Sequence, residues 1–142
     1  MQDVVPMLSY EDGFAALAWL KQAFGFEENE AMRFTDNEGR VSHAELHTGN
    51  GIIMMAASIP GYENNSRHRQ HCEYADKWLA VPWIINGLLV YVDDVDAHFK
   101  RAKENGAEIL SEIEDGFPGK RYRCADLEGQ RWMFMERSKE NS

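Results

Sequence analysis

Cysteine is scarce in this chain. Cys72 and Cys124 are the only two among 142 residues, and their separation fits no zinc or redox motif. Two thiols behind an unsignalled start read as reduced, which excludes a disulfide-stapled scaffold. Long apolar runs are missing as well. None approaches the roughly 20 apolar residues of a membrane span, and the first residues lack a signal-peptide core. A cytoplasmic protein with no membrane partner is therefore expected. The third shortage is positive charge: 15 Lys and Arg stand against 24 Asp and Glu, for a net charge of −9. That balance excludes a nucleic-acid backbone as partner, which would need a basic face. Lys120, Arg121 and Arg123 form the one dense basic cluster, enough for a small anion and too little for a polyanion.

The chain has strong local patterning, clearest from Gly87 to Glu136. Leu88–Val92 is a short, partly β-branched apolar run stopped by Asp93 and Asp94, which reads as a buried strand. Asp94 is placed to cap a helix carrying Val95, Phe99 and Ala102 on one face, with Gly106 past its end. Residues 107–110, 122–125 and 131–135 then read as three strands, the last two joined through Asp126-Leu127-Glu128-Gly129. An earlier stretch repeats this order. Asp12 matches Asp94 as a cap, Lys21 falls opposite Lys103, and Gly25 falls opposite Gly106. Phe14, Leu17, Leu20 and Phe24 make the apolar stripe of the first helix. A hairpin over Asp36-Asn37-Glu38-Gly39 and a closing strand at 51–57 complete the unit. Two such units of about fifty residues argue for one pseudo-symmetric domain, because an array needs about three repeats.

The expected architecture is α+β: a single domain spanning 1–142, with tandem βαβββ units at about 1–57 and 87–137. They would form a curved mixed sheet with the helices on its outer face. The connector, 58–86, is long enough to suggest a functional role. Within it His68, Cys72, Ala75 and Leu79 fall at helical spacing.

Strand, acidic helix cap, Gly-closed helix and three strands ending in D-x-x-G-x-x-W-x-F, in tandem, resemble the vicinal oxygen chelate superfamily. That group includes glyoxalase I, bleomycin-resistance proteins, fosfomycin-resistance enzymes and extradiol dioxygenases. The closest local matches are residues 90–97, 126–132 and His43-Ala44-Glu45-Leu46. One fold hosts several chemistries here, so the resemblance speaks to fold more than to activity. In metal-using members it implies ligands at the start of the first strand and in the fourth strand of each unit. Counting back from the helix caps puts the first positions at Val5 and Gly87, and counting along the closing strands puts the others at about Met54 and Met133. Valine and glycine offer no side-chain donor, and thioethers are soft ligands that suit the family's ions poorly. No metal and no other cofactor is therefore expected. Loss of the Lewis acid would remove the family's isomerase and ring-cleaving chemistries.

The surviving expectation resembles the bleomycin-resistance branch: a metal-free homodimer that binds a small apolar or aromatic molecule. Its binding residues would be His43, Glu45, Met54, Trp78, Trp83, Arg121 and Met133. Met side chains suit adaptable binding surfaces, and connector tryptophans offer broad contact with few rotamers to freeze. The acid balance favours a cationic or neutral ligand. His43, Glu45 and His47 share one strand face, so a metal-dependent glyoxalase-like enzyme using His43 and Glu45 is the alternative. With no third ligand in the pattern, a packing or solvent-facing role is the simpler account of H-x-E-x-H. His68, His71 and Cys72 would cluster on a helix, yet Arg67 and Arg69 beside them repel a cation. His98, among Asp96, Lys100 and Arg101, reads as a surface residue.

Overall fold

The computed structural model describes residues 2–83 and 86–138, and the chain divides into two compact units, Met1–Asn64 and Asn65–Ser142. The division falls inside the anticipated connector, whose residues 84 and 85 lie outside the described residues. The elements alternate as the tandem α+β pattern requires. Among the described residues the strands pair in two sheets, one in each unit, rather than in a single one.

In the first unit β1 (Met7–Tyr10) leads into α1 (Gly13–Phe24). Asp12 caps α1 by accepting a hydrogen bond from the Ala15 N–H at 3.0 Å. The carboxylate satisfies an amide that has no partner within the helix. The helix ends where Gly25 adopts φ 73° and its N–H donates to the Lys21 carbonyl. The buried stripe of α1 departs from expectation. Gly13, Ala16, Leu17, Leu20, Ala23 and Phe24 face the sheet, while Phe14 is exposed beneath the Arg33 guanidinium. The small residues set this face: a Cβ added at Gly13 would lie 2.8 Å from Val41 Cβ.

The expected hairpin is also interrupted. Its first arm is β2 (Glu27–Glu28), a 3-10 turn at Glu30–Met32, and β3 (Phe34–Thr35); its second is β4 (Val41–His47). The turn brings Arg33 back onto Glu28, whose side chain is almost fully buried. Arg33 Nε and Nη2 donate to that carboxylate at 2.7 and 2.6 Å, and Lys21 Nζ donates at 3.0 Å. The cations hold the Glu28 carboxyl below its ordinary value, the Arg33 hydrogen bonds contributing most, against the opposing cost of burial. Adding β5 (Ile52–Ala57) gives the order β1-β5-β4-β2, with β3 also on β4. Ala44, Leu46, Ile53 and Met55 are buried, and their alternates Glu45 and Met54 turn the other way.

The second unit opens with two short helices, α2 (Asn65–His68) and α3 (Glu73–Leu79). The continuous helix suggested by spacing is broken at 69–72. Cys72 takes an extended conformation at the start of α3, so His68, His71 and Cys72 do not share one helical face. Next come β6 (Leu88–Val92), α4 (Val95–Glu104), β7 (Glu108–Glu114), β8 (Arg121–Ala125) and β9 (Arg131–Glu136). Asp94 caps α4 through the Ala97 N–H at 3.0 Å, matching Asp12. The sheet order is β6-β9-β8-β7, with β6 parallel to β9.

Trp132 and Phe134 pack on the helix side, as their alternation predicts, with Tyr122 and Cys124. Burying one such aromatic side chain contributes roughly 2–3 kcal/mol. His98 is a correction. Its ring lies 3.9 Å from that of Phe134, and its Nδ1 is 2.6 Å from the Tyr122 hydroxyl. It shares the inward stripe of α4 with Val95, Phe99 and Ala102, and its polar neighbours in sequence hid that placement. Among the described residues no helix is long and apolar enough to cross a membrane.

Candidate functional site

The sheet face of the second unit that does not carry α4 is built in registered rows. Leu89 stands beside Met133, which stands beside Arg123; Tyr91, Met135 and Arg121 form the next row. Where β6 and β9 begin, a recess of about 170 Å³ opens, with Trp83, Leu89, Leu110, Arg123, Arg131 and Met133 among its lining residues. Trp83 is 72% exposed, so one aromatic face is available to a ligand. The turn that shapes this end is locally fixed. Asp126 is buried, and its Oδ1 accepts from the Glu128 and Gln130 N–H groups, both at 3.0 Å. Its Oδ2 accepts from Trp132 Nε1 at 3.1 Å. Gly129 has φ 88°, and a Cβ there would lie 2.8 Å from Asn65 Cβ, so the turn docks directly on α2. Asp126 and Gly129 therefore serve structure.

Positive charge outweighs negative charge around the recess. Arg121 Nη2 and Arg123 Nη1 share Glu114, at 3.2 and 3.0 Å. Arg123 Nη1 also reaches Ser111 Oγ at 3.3 Å. Arg131 is buried; its Nη1 and Nη2 donate to the Leu79 and Val81 carbonyls, and its Nε has no hydrogen-bond partner. Burial pushes the Arg131 pKa down, Glu108 opposes that shift, and Arg69 and Arg123 add to it. Glu108 is itself paired with Arg69 at 3.3 Å. Cys124 is inert by position, since burial pushes its thiol well above the ordinary range and disfavours the thiolate.

The anticipated site residues fall into two groups. Trp83 and Met133 line the recess of the second unit, and Arg121 lies one row along the same face. Trp78 is half exposed on α3 and does not line the recess. His43, Glu45 and Met54 belong to the first unit. Glu45 pairs in register with Met54, and His43 Nε2 is 3.6 Å from Glu45 Oε2. The Phe34 ring lies 6.2 Å from that of His43. Arg123, Arg131 and Leu89 matter more to the recess than their sequence context suggests. The signal was β9's alternation, which places 131, 133 and 135 on one face; the parallel partner β6 then supplies Leu89.

The metal positions implied by the resemblance are testable against strand register. Met54 pairs with Met7 and Met133 with Leu89, so Val5 and Gly87 each stand two residues before the paired residue. The four positions correspond between units, and their side chains do not fit a hard or borderline divalent ion. Among the described residues His43 and Glu45 belong to no group of three close His, Cys, Asp or Glu ligand atoms.

A family model described as the glyoxalase/bleomycin resistance protein/dioxygenase superfamily matches residues 5–134. The chain belongs to that family. TioX from Micromonospora sp. ML1 is 30% identical, with a TM-score of 0.68 over 96% of this chain and 97% of its own. The bleomycin-binding protein of Streptomyces verticillus, solved with copper(II)-bleomycin, is 16% identical with a TM-score of 0.57, covering 97% and 98% of the two chains. That similarity is one of fold. An uncharacterized protein of Mycobacterium bovis is 29% identical over 132 residues, 89% of this chain and 78% of its own.

Proposed function

We propose that this protein binds a small, largely apolar or aromatic molecule without a metal ion, in the manner of the bleomycin-resistance branch of its family. The recess at the start of β6 and β9 carries this reading: exposed Trp83, Leu89 and Met133 offer apolar surface beside the Arg123 guanidinium. Ligand sites commonly combine such apolar walls with a few placed polar groups. Supporting it, the positions of the family's metal ligands hold Val5, Met54, Gly87 and Met133. Arg121, one row along the same sheet face, and the half-exposed Trp78 of α3 are further candidate contacts on the second unit. His43, Glu45 and Met54 form a second candidate surface on the first. A homodimer and a cytoplasmic location are part of the same proposal.

The test is quenching of tryptophan fluorescence by a panel of bicyclic aromatic compounds, with metal content measured on the same samples. Saturable quenching that weakens in Trp83→Ala is expected. A flat response across the panel sinks the reading.

The second reading is a glyoxalase-like or isomerase-like enzyme. The 3.6 Å approach of His43 Nε2 to Glu45 Oε2 favours it, because the pair puts an imidazole and a carboxylate within reach of one another. It expects ion-dependent turnover of a hemithioacetal or a similar oxygen-chelating substrate.

A further inference from the structure

We infer that the recess of the second unit selects an anion: an aromatic or bulky apolar molecule whose carboxylate or sulfonate lies on Arg123 while its apolar body contacts Trp83, Leu89 and Met133. The inference depends on the binding function proposed above and adds the charge of the ligand. Arg121, Arg123 and Arg131 surround this end of the sheet, and Glu114 is the carboxylate that pairs with the first two. Arg131 donates to two neutral carbonyls, so its charge is solvated but not cancelled. Glu108, a nearby acid, is held by Arg69.

Arg123 spends only Nη1 on Glu114 and Ser111; among the described residues its Nε and Nη2 make no hydrogen bond. Those two N–H groups can meet a carboxylate side-on, the bidentate geometry a guanidinium favours. The Arg123 side chain is only 16% exposed, and in a partly desolvated recess such a pair is worth more than in water. A net charge of −9 points toward cationic or neutral ligands at long range. Over the roughly 8 Å that charges reach in physiological salt, the arginines of the recess prevail.

Three probes of nearly one shape separate charge from shape: 2-naphthoate, 2-naphthamide and 2-naphthylmethylammonium, titrated into the full chain by calorimetry. Naphthoate is expected to bind about tenfold more tightly than the amide, with the ammonium weakest. Arg123→Gln is expected to bring naphthoate and naphthamide within about twofold of each other. Should that variant fold poorly, raising ionic strength on the unaltered protein replaces it, and the naphthoate preference is expected to shrink. Equal binding of naphthoate and naphthamide overturns the inference and leaves the binding function standing. A preference that survives both Arg123→Gln and high salt overturns the role given to Arg123. If none of the three binds, the proposed binding function fails, and the charge inference with it.

Discussion

Glu45 in the first unit and Arg123 in the second stand at corresponding stations of the repeat, one beside Met54 and the other beside Met133. The station carries an acid next to a histidine in one unit and a cation next to a second cation in the other. The helix side keeps its plan, although His98 and Tyr122 form a polar pair where the first unit has Ala16 and Ala44. Asp12 and Asp94 cap their helices through the same contact, and both sheets bury apolar alternates beneath a helix. The repeat therefore constrains where side chains point, through capping and core packing, and leaves the opposite sheet face open to different chemistry.

The largest expected effect separates two turns with the same D-x-E-G letters. Asp36 and Asp126 each accept from the N–H groups two and four residues on. Gly39 has φ 79° with nothing within 4 Å of an added Cβ, whereas Gly129 has φ 88° and meets Asn65 and Ser66 at 2.8 to 3.0 Å. Gly39→Ala is expected to cost about 1 kcal/mol, from the left-handed backbone alone. Gly129→Ala is expected to cost about 3 kcal/mol or more, since backbone strain and a clash with α2 add. Chemical denaturation of the two variants checks this, and equal costs would mean that the second turn is not docked.

Charge at the corresponding stations comes next. Arg123→Gln is expected to weaken 2-naphthoate binding about tenfold. Glu45→Gln is expected to leave naphthoate unchanged and to weaken 2-naphthylmethylammonium about twofold, the scale of a partly solvated pair. Calorimetric titration of both variants decides it. No change in either ligand with Glu45→Gln would remove Glu45 from ligand recognition.

A third contrast concerns Glu28, a buried acid of the first unit; the β7 carboxylates Glu108 and Glu114 are about half exposed. Because the Glu28 carboxyl is held below its ordinary 4.5 in the fold, its contribution is complete above that pH. It is lost as pH falls through the lowered folded value. Glu28→Gln is expected to cost about 1–2 kcal/mol at neutral pH, with the cost shrinking in acid. Stability measured against pH for the two proteins checks the sign; a cost that grows in acid would refute it.

Much of the fold was legible in the sequence because its determinants are local. A capping aspartate needs only its own helix start, and Trp132 and Phe134 declare their face by alternation. What stayed hidden depends on distant partners. Phe14 lost its place in the buried stripe because Gly13 allows α1 to approach Val41. His98 is inside because Tyr122 and Phe134 are there to receive it. The break at 69–72 and the 3-10 turn before Phe34 arise from contacts that residue spacing does not encode. The site divides in the same way: Met133 and Trp83 were readable, but the carbonyls that hold Arg131 lie some fifty residues earlier in the chain.

The measurement that bears most directly on metal-free binding is the affinity for 2-naphthoate before and after exhaustive chelation, with metal content determined on both samples. The account expects the same dissociation constant within about twofold and less than about a tenth of an ion per chain. Binding that vanishes on chelation, returns with one ion per chain and is abolished by His43→Ala would contradict it and put the enzyme reading first.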